Sequence, residues 1–251
     1  MTELGEKARM AEMRQLHVYD CALMGAVQLR MILATMLVAG NVVVALIVVA
    51  PAHAEPQTCP PICDQIPSTA WIAHRSVPLD AVSGWPPLAG RAVPVTGTTP
   101  QFKFEQVCAT PAVPQDTRNS TVAARVTVTR PDGQWQLHAQ IMHWRGDTAR
   151  GGALAASVFG SAVAALRACQ LGAPAQSPSV TDDEPTRMAA VISGPVLVHT
   201  YLLAHVASST ISELTLWASG SPEVAWPVIS DAAVLDAMTA PLCEAYIASC
   251  S

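Results

Sequence analysis

The stretch WQLHAQIMHW, Trp135 to Trp144, decides the fold. Trp135, Leu137, Ala139, Ile141 and His143 fall on one side of it, and Gln136, His138, Gln140, Met142 and Trp144 on the other. That period of two belongs to a β-strand with two distinct faces. Ahead of it stands Pro131-Asp132-Gly133, where proline presets the first turn angle and glycine supplies the positive one. Before the turn, VAARVTVT (Val122 to Thr129) is rich in β-branched residues, so the two runs read as a hairpin. FKFEQVC, Phe102 to Cys108, also alternates apolar with polar and predicts a strand ahead of the hairpin.

Downstream the texture changes. After Arg145-Gly146-Asp147, an alanine-rich segment runs from Thr148 to Gln170, with Leu154, Val158, Ala162, Ala165 and Cys169 at helical spacing. Asp147 or Thr148 can cap this helix, and Gly172 and Pro174 stop it. Leu171 to Thr186 reads as a loop carrying the acidic run Asp182-Asp183-Glu184. Arg187–Ser193, Val196–Val206 and Thr210–Ala218 then read as three strands. A helix follows, capped by Ser230, bent or broken at Pro241 and ending near Tyr246. The predicted order is β-β-β-α repeated twice, an α+β domain whose antiparallel sheet of about six strands carries helices on one face.

Outward toward the N-terminus lies RMILATMLVAGNVVVALIVVAPAHAE, Arg30 to Glu55. Met31 to Ala50 contains no charge and approaches the ~20 apolar residues of a membrane-crossing helix. Arg30 precedes the run and Ala52-His53-Ala54 follows it, the flank and small-x-small site of a secretory signal. Cleavage between Ala54 and Glu55 would release residues 55–251. Without cleavage the run would be a signal anchor, with membrane contact through residues 31–50 only. Met24 begins a compact leader, MGAVQLR, and is an alternative start to Met1. Glu55 stands where a lipoprotein would carry cysteine. Three regions follow: 1–54 as N-terminal region and signal, 55–101 as a proline-rich irregular segment, and 102–251 as the α+β domain. A short helix is possible near Pro67–Ala73, and Trp71 and Trp85 are too apolar to leave in a loose tether.

Lys7, Arg9, Arg14 and Arg30 balance Glu3, Glu6, Glu12 and Asp20, so the net charge of −5 belongs to residues 55–251. Such an acidic surface excludes a nucleic-acid partner and disfavours anionic lipid headgroups. Cys21 precedes the apolar run. The exported part holds Cys59, Cys63, Cys108, Cys169, Cys243 and Cys250, an even set that reads as disulfides in an oxidising compartment, with the pairing left open. Cys59 and Cys63 are spaced C-x3-C with no second close pair, against both zinc and thioredoxin-like chemistry.

The run His138 to Trp144, an RGD turn and a helix closing Ala-Leu-Arg-Ala-Cys169 resemble the middle of the extracellular sensor-domain family of the mycobacterial PknH-like kinases. The resemblance spans about residues 102–246. It implies an antiparallel sheet with helices packed against it, disulfide ties and a ligand cleft. It also implies a mycobacterial origin, and the composition and alanine-rich export signal look like those of an actinobacterium with high-GC coding. The chain departs from the family in its Cys59/Cys63 segment and in lacking a kinase domain.

No hydrolase elbow, zinc-protease helix, P-loop or dinucleotide fingerprint occurs, so no catalytic, cofactor or metal residue is assigned. Ser161 reads as a small helix-packing residue. Arg145-Gly146-Asp147 reads as a turn and helix cap, and Asn119-Ser120-Thr121 as a glycosylation sequon only in a eukaryotic route. His138, His143, His199 and His205 are candidates for a cleft, where protonation could tune binding. His138 and His143 fall on opposite faces, and His199 and His205 on one face ~20 Å apart. The expected function is a non-catalytic, exported ligand-binding or sensor-like module of the bacterial envelope, holding an apolar or amphipathic ligand or an envelope protein. A structural or interaction component docking through Trp71 and Trp85 is the alternative. A secreted hydrolase with a site built from residues distant in sequence is the third.

Overall fold

The computed structural model describes residues 65–246 and Ser249. The apolar run Met31–Ala50, the Ala54/Glu55 junction and Cys59, Cys63 and Cys250 lie outside the described residues. Seven strands form one antiparallel sheet: β1 (Val93–Pro94), β2 (Thr121–Val128), β3 (Gln136–Trp144), β4 (Ser177–Asp183), β5 (Arg187–Ser193), β6 (Val196–His205) and β7 (Thr210–Ser219). Their spatial order is β1-β2-β3-β7-β6-β5-β4. The hairpin read from Val122–Trp144 is β2 against β3. The β3–β7 pairing, from Gln136 opposite Trp217 to His143 opposite Thr210, joins the earlier strands to the later ones.

Among the described residues five α-helices accompany the sheet: α1 (Asp80–Ser83), α2 (Lys103–Val107), α3 (Thr148–Arg167), α4 (Cys169–Gly172) and α5 (Asp231–Ala245). Asp147 caps α3 by accepting from the Arg150 N–H at 2.7 Å, as the RGD turn suggests. Gly146 takes the left-handed turn before it (φ 86°). Ser230 caps α5 in the same way at 3.3 Å, and the helix continues through Pro241 to Ala245.

The structure corrects several expectations, beginning with the strand count, which is seven rather than about six because an edge strand is recruited at each side of the sheet. Phe102–Cys108 is not a strand. Phe102 precedes helix α2, and its N–H donates to the Glu105 carboxylate at 2.8 Å, a local closure that the apolar alternation conceals. Residues Ser177–Asp183 are not loop but the edge strand β4, whose alternate residues are exposed. Pro178, a register shift between Val180 and Asp182, and the acidic run are devices that edge strands tolerate and use. The strand groups are therefore unequal, and the β-β-β-α repeat is not reproduced.

Helices also cover both faces rather than one. On the first face, Leu137, Ala139, Ile141, Leu214 and Leu216 meet α5 and the segment around Trp71, Trp85 and Leu88. On the second, Met142, Trp144, Leu202 and Ile211 meet α2 and α3 through Phe102, Phe104, Phe159 and Leu166. Two covered faces explain why β3 and β7 are buried at nearly every position, polar ones included. α3 is long and apolar enough to cross a membrane by length and composition alone, yet its apolar stripe lies in the second core.

Trp71 and Trp85 are core residues, so they form no exposed docking patch. Trp85 also donates from its indole nitrogen to the Pro78 carbonyl at 2.8 Å. Cys108 and Cys169 form a disulfide that ties the end of α2 to the start of α4. Cys243 is disulfide-bonded as well.

Candidate functional site

The four histidines do not converge. His138 points to the second face of the sheet, whereas His143, His199 and His205 share the first by register. His143 stacks on Tyr246, with ring centroids 4.8 Å apart. His199 stacks on Trp226 at 3.6 Å and meets the edge of Trp135 at 5.6 Å. Burial lowers its pKa to about 4, Asp231 opposing in part, so the ring is a neutral member of an aromatic stack. The trio pins the loop before α5 to the sheet, where the Trp135 indole donates to the Val224 carbonyl at 2.7 Å.

His138 belongs to a buried polar row that crosses the second face. Thr200 and Thr215 hydroxyls meet at 2.9 Å, and Thr215 donates to Glu213 Oε1 at 3.0 Å. The same oxygen accepts the Lys103 N–H at 2.6 Å, anchoring the start of α2. Thr127 meets His138 Nδ1 at 3.3 Å. The two atoms left over, His138 Nε2 and Glu213 Oε2, face each other at 3.5 Å.

That pair is a neutral contact, not an ion pair. Burial raises the Glu213 carboxyl to about 8, against opposing hydrogen bonds from Lys103 and Thr215. Burial, then the charges of Arg125 and Lys103, lowers His138 to about 4. With these shifts the Glu213 carboxyl keeps its proton at neutral pH and the His138 imidazole stays uncharged. Glu213, the single charged residue in the TISELTLWA strand, was the signal for this row in the sequence.

A pH dependence of stability follows from these groups. Between about 4.5 and 8 the native state holds a proton on Glu213 that the unfolded chain releases, so this group loses stability as pH rises. Between about 4 and 6.5 the unfolded chain protonates His138 and His199 while the native state does not, so these groups gain stability as pH rises. The two effects place the maximum near pH 6.5, with a loss on the order of 2 kcal/mol between there and pH 8. Thermal melts from pH 5 to 9 check this. Glu213→Gln is expected to flatten the alkaline limb, and a limb unchanged by that substitution would refute the assignment.

The polar row is sealed. An accessible site lies farther along the same layer, where residues 110–118 cross α3. Here Arg118 donates from Nε and Nη2 to Asp116 Oδ2 at 2.8 and 2.6 Å, and from Nη1 to Glu105 Oε2 at 2.7 Å. All three side chains are more than nine-tenths buried. Burial opposes the charge on Arg118, but the hydrogen bonds to Asp116 and Glu105 outweigh it and raise its pKa.

This triad floors a groove of about 200 Å³ between the segment and α3. Val113, Val158, Ala162 and Ala165 give it an apolar wall, and Ser157 and Ser161, one helical turn apart, give it hydroxyls. Ser161 is thus an exposed groove residue, not the packing residue expected of it. A cleft of about 550 Å³ adjoins on the other side of Arg118, lined by Thr98, Thr99, Asn119 and Thr121. None of the four cleft histidines lines either space. Nothing in the sequence marks Glu105, Asp116 and Arg118 as a unit, because a loop and a short helix bring them together.

Among the described residues, no group of three or more His, Cys, Asp or Glu could hold a metal ion. No protein-family model matches the chain, and no curated protein matches it either.

Proposed function

We propose that the protein is an exported, non-catalytic binding or sensor-like module of the bacterial envelope, akin to the PknH-type extracellular sensor domains. The groove over the Glu105–Arg118–Asp116 triad is the observation that carries this reading. It joins a buried, charged polar floor to an apolar wall, the pattern of a small-ligand site. Export is supported by the signal-like run Met31–Ala50 and by the Cys108–Cys169 disulfide, which suits an oxidising compartment. In this reading residues 55–251 work outside the cytoplasm, secreted after cleavage at Ala54/Glu55 or anchored through residues 31–50.

Native mass spectrometry of protein recovered from the envelope or medium of an exporting host tests it. A species starting at Glu55, fully oxidised and carrying extra mass, is the expected result. Free thiols at Cys108 and Cys169, or protein confined to the cytoplasm, would refute export. Repeated recovery without added mass would shift the reading to a protein-interaction component. One surface favours that second reading: Val224, Val228 and Ile229 expose apolar side chains in the loop before α5.

A further inference from the structure

We infer that the groove between residues 110–118 and α3 selects small amphipathic cations, a protonated primary amine on a short aliphatic body. This rests on the binding-module reading and names its ligand class.

Three features set the chemistry. The floor holds two carboxylates, Glu105 and Asp116, against one guanidinium, Arg118, which leaves one negative charge uncompensated. Because these side chains are nearly excluded from water, that charge is screened less than one at the surface. An anion would meet it with repulsion, and a neutral alcohol would gain only a hydrogen bond. An ammonium group, with three donors and no acceptor, matches Glu105 Oε1, the one carboxylate oxygen of the floor that takes no donor from Arg118 or the backbone, and the Ser157 and Ser161 hydroxyls beside it.

The wall sets the body of the ligand. Val113 is half-exposed in the loop, and Val158, Ala162 and Ala165 face it from α3. The volume of about 200 Å³ is below the ~300–1,000 Å³ of sites for drug-sized molecules. It suits a chain of a few carbons, or the aminoalkyl end of something larger. Arg118 itself does not compete for an anion, since three of its donors already point at the two carboxylates.

The test is titration of the protein, recovered from an exporting host, with butylammonium, butanol and butyrate, followed by amide chemical shifts. Butylammonium is expected to bind at least about tenfold tighter than butyrate, the range of one hydrogen bond to a charged group. Shifts should centre on residues 113–118 and 157–165. Ser161→Trp fills the groove from an exposed helix position and is expected to abolish binding. Ser161→Lys, which delivers a tethered ammonium to the same floor, is expected to do so without added bulk on the wall.

Equal binding of butyrate, binding that survives both substitutions, or no binding of any probe overturns the assignment. The mass spectrum of Ser161→Trp separates this from the broader reading. A native ligand that persists in the variant places the binding site elsewhere and leaves the module standing. No native ligand and no probe binding remove both.

Discussion

Replacing Arg118 by leucine is expected to destabilise the fold by roughly 3–5 kcal/mol, the cost of breaking a buried ion pair by removing one partner. For a domain of this size the melting temperature would fall by roughly 10 °C. The size of the effect comes from what stays behind. Glu105 and Asp116 keep buried carboxylates that lose Arg118 donors at 2.7 Å and at 2.6 and 2.8 Å. Each retains a backbone donor: Phe102 N–H for Glu105 and Arg118 N–H for Asp116. The guanidinium also lies 5.2 Å from the centre of the Phe102 ring, so packing is lost with charge. Urea unfolding followed by tryptophan fluorescence measures the loss. Adding Glu105→Leu and Asp116→Asn to Arg118→Leu is expected to recover most of it, because the stranded charges are then gone. A loss below about 1 kcal/mol in the single variant would mean that water reaches the triad, and the groove floor would need redrawing.

The second large effect is at the disulfide. Cys108 and Cys169 are 61 residues apart in the chain, and their bond closes β2, β3 and α3 into one loop. Cross-links of this kind typically stabilise by roughly 2–4 kcal/mol, chiefly by restricting the unfolded chain. Cys108→Ser with Cys169→Ser is expected to lose that amount in urea unfolding under oxidising conditions. Reductant is expected to destabilise the native protein further than it does the variant. Both cysteines are buried in the second core, so reduction should follow unfolding rather than precede it. The bond holds the end of α2, and Glu105 sits on the same helix. The cysteine and Arg118 substitutions share that element and are expected to be non-additive. Equal stability with and without the bond would show that α2 is held by Glu213 and Phe102 alone.

Much of the fold was legible because local periodicity survives in it. The alternation of WQLHAQIMHW, the Pro131–Gly133 turn and the alanine-rich run after Asp147 each specify an element without help from distant residues. The failures share a cause. FKFEQVC alternates like a strand but is short, and its conformation is decided by contacts beyond its own length: Glu213 holds the Lys103 N–H and Cys169 holds Cys108. Ser177–Asp183 has proline and acids, the composition of a loop, yet pairing with β5 recruits it as an edge. Alternation in β3 suggested one wet face. His138 and Gln140 of that face are instead buried, in a row with Thr127, Thr200, Glu213 and Thr215 that leaves His138 Nε2 and Gln140 Oε1 without a hydrogen bond.

The candidate site was the least legible part. Histidines attract notice because they titrate near neutrality, but here burial keeps His138 and His199 uncharged and gives them packing roles. The groove depends on Glu105 from a short helix, Arg118 from a 3-10 turn (Thr117–Ser120) that Asp116 caps, and Ser157 and Ser161 from α3. By itself the sequence determined the hairpin, the two long helices and their caps, since each follows from residues within a few positions of one another. Tertiary structure alone decided which faces are covered, which carboxyl keeps its proton and where a groove remains open. Those outcomes depend on desolvation and on distances between residues far apart in the chain, which no local pattern encodes.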